Sequence, residues 1–218
     1  MKKIAAFFDF DGTLYNGVIA FDFLSHAVFR GNLKFRECMK LPGFFYYYMA
    51  DKLKLADRYK INQKLYSKIS GWNAELLLKK SNDFAVKNVE KKLFPEVAEE
   101  LKNHRKEGHK TIIVTSALKE IVFPVKKILN VDEIFATEIG IKNGRYTGEI
   151  IVLPVGEHRV KVIMDYCRKN DIDVDSCYAY SDHYSDIAML DLVGNPVAVY
   201  PERKLRGHAA KNEWKIIG

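Results

Sequence analysis

Residues 7–14 read FFDFDGTL, an apolar, aromatic run that leads directly into two aspartates, a glycine and a threonine. Together with residues 3–6, the apolar part is typical of a buried strand of a parallel sheet that ends in a loop. Asp9 and Asp11 leave this strand one residue apart, so both can point into one cavity, and Gly12 permits the tight turn that follows. Taken alone, the stretch could also be a turn or N-cap cluster, because Asp and Gly are common there.

Further strand and helix patterns alternate along the chain. The pattern predicts helices at 95–107, 118–129, 158–169 and 185–190, and short apolar strands at 111–115, 133–136, 177–180 and 196–200. Asn143-Gly144 lies between two alternating segments within 137–153, which predicts a type I′ β-hairpin. The alternation predicts an α/β fold with a doubly wound parallel sheet.

Residues 16–93 interrupt this alternation of strands and helices. They show helical patterns at 21–29, 34–49, 58–69 and 74–89, and they separate the first two strands by far more than an ordinary crossover needs. We expect this segment to be an all-helical cap domain, inserted into a core domain of residues 1–15 and 94–218. The cap is expected over the carboxyl ends of the strands, where ligands bind in open α/β sheets.

Composition limits the surroundings and partners of the chain. The 218 residues carry a formal net charge of +7, and residues 30–110 hold 19 Lys/Arg against 10 Asp/Glu. A basic surface favours an anionic partner, although no nucleic-acid-binding motif is recognisable and we expect none. Three cysteines without CxxC spacing favour a reduced, cytoplasmic location. No signal peptide or membrane-spanning run is evident.

Three more polar motifs follow predicted strands. Thr115-Ser116 offers hydroxyl and amide donors, or simply an N-cap. A basic residue opens the helix after the hairpin, within 156–161, where an ordinary surface charge is the alternative. Asp182 and Asp186 flank a strand end and a helix start, so they can share one Mg²⁺.

In this order the four motifs resemble those of the haloacid dehalogenase superfamily, over nearly the whole chain. The most specific blocks are FFDFDGTL and AYSDHYSDIAML (179–190), followed by GNPVAV (194–199). The insertion after the first motif is similar to that of the phosphoserine-phosphatase-like branch, subfamily IB, with its helical cap on a Rossmann-like core. The resemblance implies a Mg²⁺-dependent phosphatase.

The resemblance also implies a role for each motif residue. Asp9 would be the nucleophile that forms an aspartyl-phosphate, and Asp11 the general acid and base. Mg²⁺ would be held by Asp9, the Asp11 backbone carbonyl, Asp182 and Asp186. Phosphoryl oxygens would be bound by Thr115, the Ser116 amide and a fixed cation. For this cation the alignment and the helix phase favour Arg159, although a shift of two residues gives Lys161, and Arg and Lys are not interchangeable.

The substrate is less constrained. Phosphoserine phosphatases carry an acidic residue nine positions after the nucleophile, where this chain has Val18, and an apolar side chain cannot pair with an ammonium group. The aromatic run 44–49, including Phe44 and Tyr47, is either the core of a cap helix or an apolar pocket for an amphiphilic or lipid phosphate. Phosphoserine or histidinol phosphate stays open as the substrate, as does peripheral membrane contact.

Two other classes of protein share parts of this pattern. A signalling receiver domain is also phosphorylated on an aspartate of a parallel α/β sheet, but it is much shorter, has no helical insertion after the first strand and lacks a late pair of aspartates like Asp182 and Asp186. A catalytically silent module that binds phosphate or lipid phosphate would keep the same fold, and the intact aspartates argue against it. Whether the chain is a monomer or a dimer is open.

Overall fold

The computed structural model describes residues 3–29, 42–43, 46, 49 and 58–218. A seven-stranded sheet lies at the centre, with its strands in the order β4-β3-β2-β1-β5-β6-β7. β3 and β4 pair antiparallel, and every other pair is parallel. The strands are β1 (Ala5–Phe8), β2 (Lys110–Leu118), β3 (Glu133–Lys142), β4 (Arg145–Val152), β5 (Tyr178–Ser181), β6 (Asn195–Val199) and β7 (Lys215–Ile217).

Helices cover both faces of the sheet, which confirms the predicted doubly wound α/β fold. In β1, Phe8 belongs to the apolar cluster on one face and Phe7 to the cluster on the other. Both faces of β1 are buried, and its sequence is therefore continuously apolar. The helices are α1 (Ile19–Phe29), α2 (Arg58–Ser67), α3 (Ala74–Asn88), α4 (Pro95–Lys106), α5 (Lys119–Val122), α6 (Val125–Leu129), α7 (Glu157–Asn170), α8 (Ile187–Leu190) and α9 (Arg203–Lys211).

The single helix predicted over 118–129 is wrong. Leu118 is the last residue of β2, and the segment after it forms the two short helices α5 and α6. The break falls at Pro124, which lacks the backbone N–H needed to continue a helix. The helix predicted over 185–190 begins as a short 3₁₀ turn and becomes α-helical only at Ile187.

The predicted hairpin is present. Asn143 and Gly144 both have positive φ angles, 50° and 71°, as a type I′ turn requires. The short strand predicted at 133–136 and the first arm of the hairpin are one continuous strand, β3. The hairpin also contacts the segment between α2 and α3, because Gly71 N–H donates to the Tyr146 carbonyl at 2.9 Å.

Two chain segments connect the 16–93 insertion to the sheet, and they run side by side. The Asn16 N–H donates to the Lys92 carbonyl at 2.7 Å, and the Phe94 N–H donates to the Leu14 carbonyl at 3.0 Å. Tyr15 pairs with Leu93 between these bonds. The two ends of the segment predicted as an insertion, near residues 16 and 93, therefore lie next to each other, beside the loop that carries Asp9 and Asp11.

Candidate active site

The carboxyl ends of the central strands bring the predicted polar residues to one edge of the sheet. Asp9 directly follows β1, and its N–H donates to the Tyr180 carbonyl of β5 at 3.0 Å. Asp182 directly follows β5. Thr115 and Ser116 lie in β2, where its pairing with β3 is interrupted. Because these strands are parallel, the residues approach one another although they are distant in sequence.

Arg159 lies between two aspartates at the first turn of α7. Its Nη2 is 3.3 Å from Asp9 Oδ1, and its Nη1 is 2.7 Å from Asp186 Oδ2. Its Nε donates to the Pro154 carbonyl at 3.1 Å, and the residue is 1% exposed. Burial raises the pKa of Asp9, and the Arg159 guanidinium opposes that rise. The alternative cation, Lys161, is exposed, whereas Arg159 is buried against the two aspartates.

Asp11 lies against the start of the helical insertion. Its Oδ1 accepts a hydrogen bond of 2.8 Å from the N–H of Ile19, the first residue of α1. Burial, together with the negative charges of Asp182 and Asp22, raises the pKa of Asp11 to about 7, although the Ile19 bond lowers it. Gly12 has a φ of 82°, and a Cβ there would lie 2.5 Å from Asp182 Oδ2. This position therefore requires glycine for two reasons.

Two hydroxyl groups that our sequence analysis did not single out position the second pair of aspartates. The Thr13 hydroxyl donates to Asp182 Oδ1 at 3.0 Å and accepts from the Asp182 N–H at 3.1 Å. The Ser181 hydroxyl donates to Asp186 Oδ2 at 2.8 Å. Thr13 directly follows Gly12, and Ser181 directly precedes Asp182. This adjacency to the predicted motifs is the signal that could have identified both residues.

The four residues Asp9, Asp11, Asp182 and Asp186, named here the carboxylate cluster, carry more negative charge than Arg159 can balance. Burial raises the pKa of Asp182 to about 6, and Asp186 adds to the rise. Such a group of carboxylate oxygens suits a hard cation such as Mg²⁺. Asp9 and Asp182 fit this function best, because both oxygens of Asp186 already have partners, Oδ2 with Arg159 and Ser181 and Oδ1 with Ser185.

An apolar cavity of about 560 Å³ opens above the carboxylate cluster. Val18 lines it, whereas Phe44 and Tyr47 lie outside the described residues. Among the described lining residues, the only carboxylates are those of the cluster, and none is a lysine or arginine. The apolar lining includes Phe21, Leu65, Ile69, Trp72 and Ile121.

Helix α2 contacts the strand segment that carries Thr115 and Ser116. The Tyr66 hydroxyl donates to the Ser116 carbonyl at 2.6 Å, and the Thr137 hydroxyl donates to the same carbonyl at 2.7 Å. Thr115 Oγ1 accepts from the Ala117 N–H at 3.1 Å. Helix α2 therefore contacts Ser116, one of the predicted phosphate-binding residues.

Comparisons with known proteins agree with this architecture. A family model described as haloacid dehalogenase-like hydrolase matches residues 6–191. A probable phosphatase of Mycobacterium tuberculosis is 26% identical over 215 residues, which are 99% of this chain and 75% of that protein. A phosphoserine phosphatase of the same organism is 26% identical over 220 residues, 97% of this chain and 70% of the relative.

A solved structure shows the same fold. A protein of unknown function from Bordetella pertussis superposes with a TM-score of 0.84 at 20% identity, covering 100% of this chain and 99% of that one. Among the helices formed by the described residues, none is long and apolar enough to cross a bilayer.

Proposed function

The chain belongs to the haloacid dehalogenase-like hydrolase family, and on that premise we propose that it hydrolyses an organic phosphomonoester through an aspartyl-phosphate on Asp9, with Mg²⁺ as cofactor. Its enzyme class is that of the phosphoric monoester hydrolases. The observation that carries the proposal is the carboxylate cluster, which lines an open apolar cavity while the buried Arg159 contacts two of its members, Asp9 and Asp186.

Asp9 is the proposed nucleophile. One of its carboxylate oxygens attacks phosphorus, a new P–O bond forms, and the bond from phosphorus to the ester oxygen breaks. The contact of Arg159 with Asp9 Oδ1 fixes the orientation of the carboxylate and favours its ionised form. Because Arg159 contacts the proposed nucleophile and Lys161 is exposed, we assign Arg159, rather than Lys161, as the fixed cation for the phosphoryl group.

Asp11 is the proposed general acid and base. It gives its proton to the departing alkoxide, then takes a proton from the water that attacks the aspartyl-phosphate, so that Asp9 and inorganic phosphate are released. A pKa near 7 suits a group that must act in both directions at neutral pH. The hydrogen bond from Ile19 fixes the Asp11 side chain and links it to α1.

Asp9, the Asp11 backbone carbonyl and Asp182 would hold Mg²⁺. Asp186 lies next to these ligands and contacts Arg159. When bound, the cation would offset the repulsion between these carboxylates and an incoming phosphate dianion. Thr115 and the Ser116 N–H are proposed to bind phosphoryl oxygens from the β2 side of the cavity.

Residues 16–93 are proposed to form a cap domain over a core of residues 1–15 and 94–218. The adjacent connections at Asn16 and Phe94 support this division, because a segment whose two chain connections lie side by side can tilt about them as a unit. Tyr66, Trp72 and Val18 line the cavity from the cap side. A tilt would therefore open the cavity to substrate and closure would exclude bulk water.

The cavity favours a substrate whose organic part is apolar or amphiphilic. Val18 and its neighbours offer apolar surface, and the described residues that line the cavity include no carboxylate outside the cluster to pair with an ammonium group. Phosphoserine is the second candidate, because one relative carries the name phosphoserine phosphatase. Histidinol phosphate and lipid phosphates belong in the same comparison.

The decisive experiment is phosphate release with and without Mg²⁺ from a panel of phosphomonoesters. The panel contains p-nitrophenyl phosphate, phosphoserine, histidinol phosphate, lysophosphatidate and phosphatidylglycerophosphate, and Asp9→Asn is the control because an amide is a poor nucleophile. We expect Mg²⁺-dependent release that the variant abolishes, with the amphiphilic substrates ranked above phosphoserine.

Two results would contradict the proposal. Wild-type turnover by Asp9→Asn would exclude the covalent route. Binding of phosphomonoesters without release from any member of the panel would instead indicate a catalytically silent phosphate-binding module on the same fold.

A further inference from the structure

A second group of metal-ligating side chains lies at the opposite edge of the sheet, where α4 ends and β2 begins. His104 lies in the last turn of α4, and Glu107 and His109 follow it before β2; we name these three residues the His104 cluster. Their ligand atoms all lie within 4.8 Å of one another. The amino-terminal edge of a parallel sheet is remote from the carboxylate cluster, so this group has no part in the proposed hydrolysis.

A chain of hydrogen bonds determines which nitrogen of His104 carries a proton. The Tyr180 hydroxyl donates to Glu100 Oε2 at 3.1 Å, so its oxygen is left to accept. His104 Nε2 lies 2.8 Å from that oxygen and must therefore be the donor. Its Nδ1 consequently presents a lone pair.

His109 is aimed at this lone pair. The two Nδ1 atoms are 2.9 Å apart, so in the absence of a metal His109 donates the single proton between them. Glu107 Oε2 lies 3.5 Å from the same His109 nitrogen. Two imidazole nitrogens and one carboxylate oxygen thus converge, the ligand set of many zinc sites that leave a fourth position for water.

The surroundings support a cation at this place. His104 donates a hydrogen bond to the Tyr180 hydroxyl, which in turn donates to the Glu100 carboxylate. Hydrogen bonds of this kind, outside the ligands themselves, orient metal-bound histidines. A cavity of about 350 Å³ borders the cluster and gives access from solvent. The two lysines that line it are already paired, Lys215 with Glu100 at 2.7 Å and Lys106 with Glu99 at 3.6 Å.

We propose that the His104 cluster binds a divalent transition-metal ion such as Zn²⁺ through Nδ1 of His104, Nδ1 of His109 and the carboxylate of Glu107. The metal takes the place of the proton between the two rings, and His109 then carries its proton on Nε2. Nitrogen ligands select such an ion, whereas the oxygen ligands of the carboxylate cluster select Mg²⁺. Metal binding would fasten the end of α4 to the start of β2.

The test is a calorimetric titration of the full-length, metal-stripped protein with Zn²⁺ in buffer that contains excess Mg²⁺. We expect one Zn²⁺ per chain that is lost or weakened at least about 10-fold in His109→Ala and in Glu107→Gln. Glu107 is largely exposed, so its replacement leaves the fold intact. The matched control is His158→Ala, an exposed histidine on another helix, which should bind as the wild type does.

Tyr180→Phe gives a second, independent readout. It removes only the hydroxyl that accepts from His104 Nε2, and we expect Zn²⁺ affinity to fall by roughly 10-fold. Replacing Zn²⁺ with Co²⁺ should give visible absorption bands that vanish in His109→Ala. Identical Zn²⁺ titrations for the wild type, His109→Ala and Glu107→Gln, or no binding at 100 µM Zn²⁺, would overturn the proposal.

Discussion

The hydroxyl of Tyr66 donates a 2.6 Å hydrogen bond to the backbone carbonyl of Ser116, and so joins the helical insertion to the edge of the sheet where the carboxylate cluster lies. Thr137 donates to the same carbonyl from β3. The position of Ser116 thus depends on one hydroxyl from the proposed cap and one from the core. Closure of the cap and alignment of the phosphate-binding segment are therefore expected to be coupled.

Tyr66→Phe tests this coupling. We expect kcat/KM for the best substrate of the panel to fall by about 2–10-fold, the effect of one net hydrogen bond, because Thr137 still holds the Ser116 carbonyl. Steady-state kinetics measure the loss. Tyr178→Phe, which removes a hydroxyl at the other end of the sheet, should keep the wild-type rate. If Tyr66→Phe also kept it, Ser116 would be positioned without the insertion.

Arg159 and Lys161 lie two residues apart on α7, and the structure predicts opposite effects for them. Arg159→Ala should reduce kcat/KM by on the order of 10²-fold or more, because the carboxylates and the phosphoryl group lose their buried cation. Lys161→Ala should change it by no more than about 2-fold, as at other exposed positions. Arg159→Lys should fall between the two, since an ammonium cannot contact Asp9 and Asp186 as a fork does. Equal, mild losses in both alanine variants would show that Arg159 is not the cation that binds the phosphoryl group.

The sequence predicted which polar motifs lie at strand ends better than it predicted the helices around them. The place of Asp9 was predictable because a buried parallel strand is continuously apolar and β1 is followed at once by a polar residue, and Asp182 follows β5 after the polar Ser181. The break at Pro124 was visible in the sequence, yet the apolar spacing on both sides concealed it. Contacts such as Tyr66 with Ser116 join residues far apart in the chain, and no local pattern encodes them.

Asp182→Asn separates metal binding from folding. Mg²⁺ should bind at least about 10-fold more weakly, since losing even an outer partner of a metal site has an effect of this size. The metal-free protein should be more stable by about 1–2 kcal/mol at pH 7, because burial raises the pKa of Asp182 to about 6 and its ionisation there opposes folding. Mg²⁺ titration of activity and urea unfolding in chelator measure the two effects.

Thr13→Val serves as the graded control for that pair of measurements. It removes the hydroxyl that contacts Asp182 but keeps the carboxylate, so Mg²⁺ binding should weaken less than in Asp182→Asn. Unchanged Mg²⁺ titration in Asp182→Asn would show that Asp182 is not a ligand.

Asp132 should make stability depend on pH in the acidic range. Burial would raise the pKa of Asp132, but hydrogen bonds from Lys110 and Thr111 outweigh it and lower the pKa below its usual value near 4. A lowered folded pKa contributes stability above the ordinary pKa and loses it as the pH falls through the folded value. Asp132→Asn should therefore cost about 1 kcal/mol at pH 7, and the difference from the wild type should shrink below pH 4. Urea unfolding at several pH values measures this, and a difference independent of pH would contradict it.

Val18 tests the proposed preference for apolar substrates. It lines the cavity near Asp11, so Val18→Glu would place a carboxylate where the organic part of the substrate is expected. We expect kcat/KM for lysophosphatidate to fall by about 10-fold or more, because a buried charge without a partner is costly, while phosphoserine, whose ammonium could pair with it, improves relative to the lipid. Val28→Glu, at an exposed position of the same helix α1, should leave the ratio of the two substrates unchanged. If the ratio of kcat/KM for lysophosphatidate to that for phosphoserine stayed the same in Val18→Glu, the organic group would lie elsewhere in the cavity. A reversed ratio would identify residue 18 as a determinant of specificity.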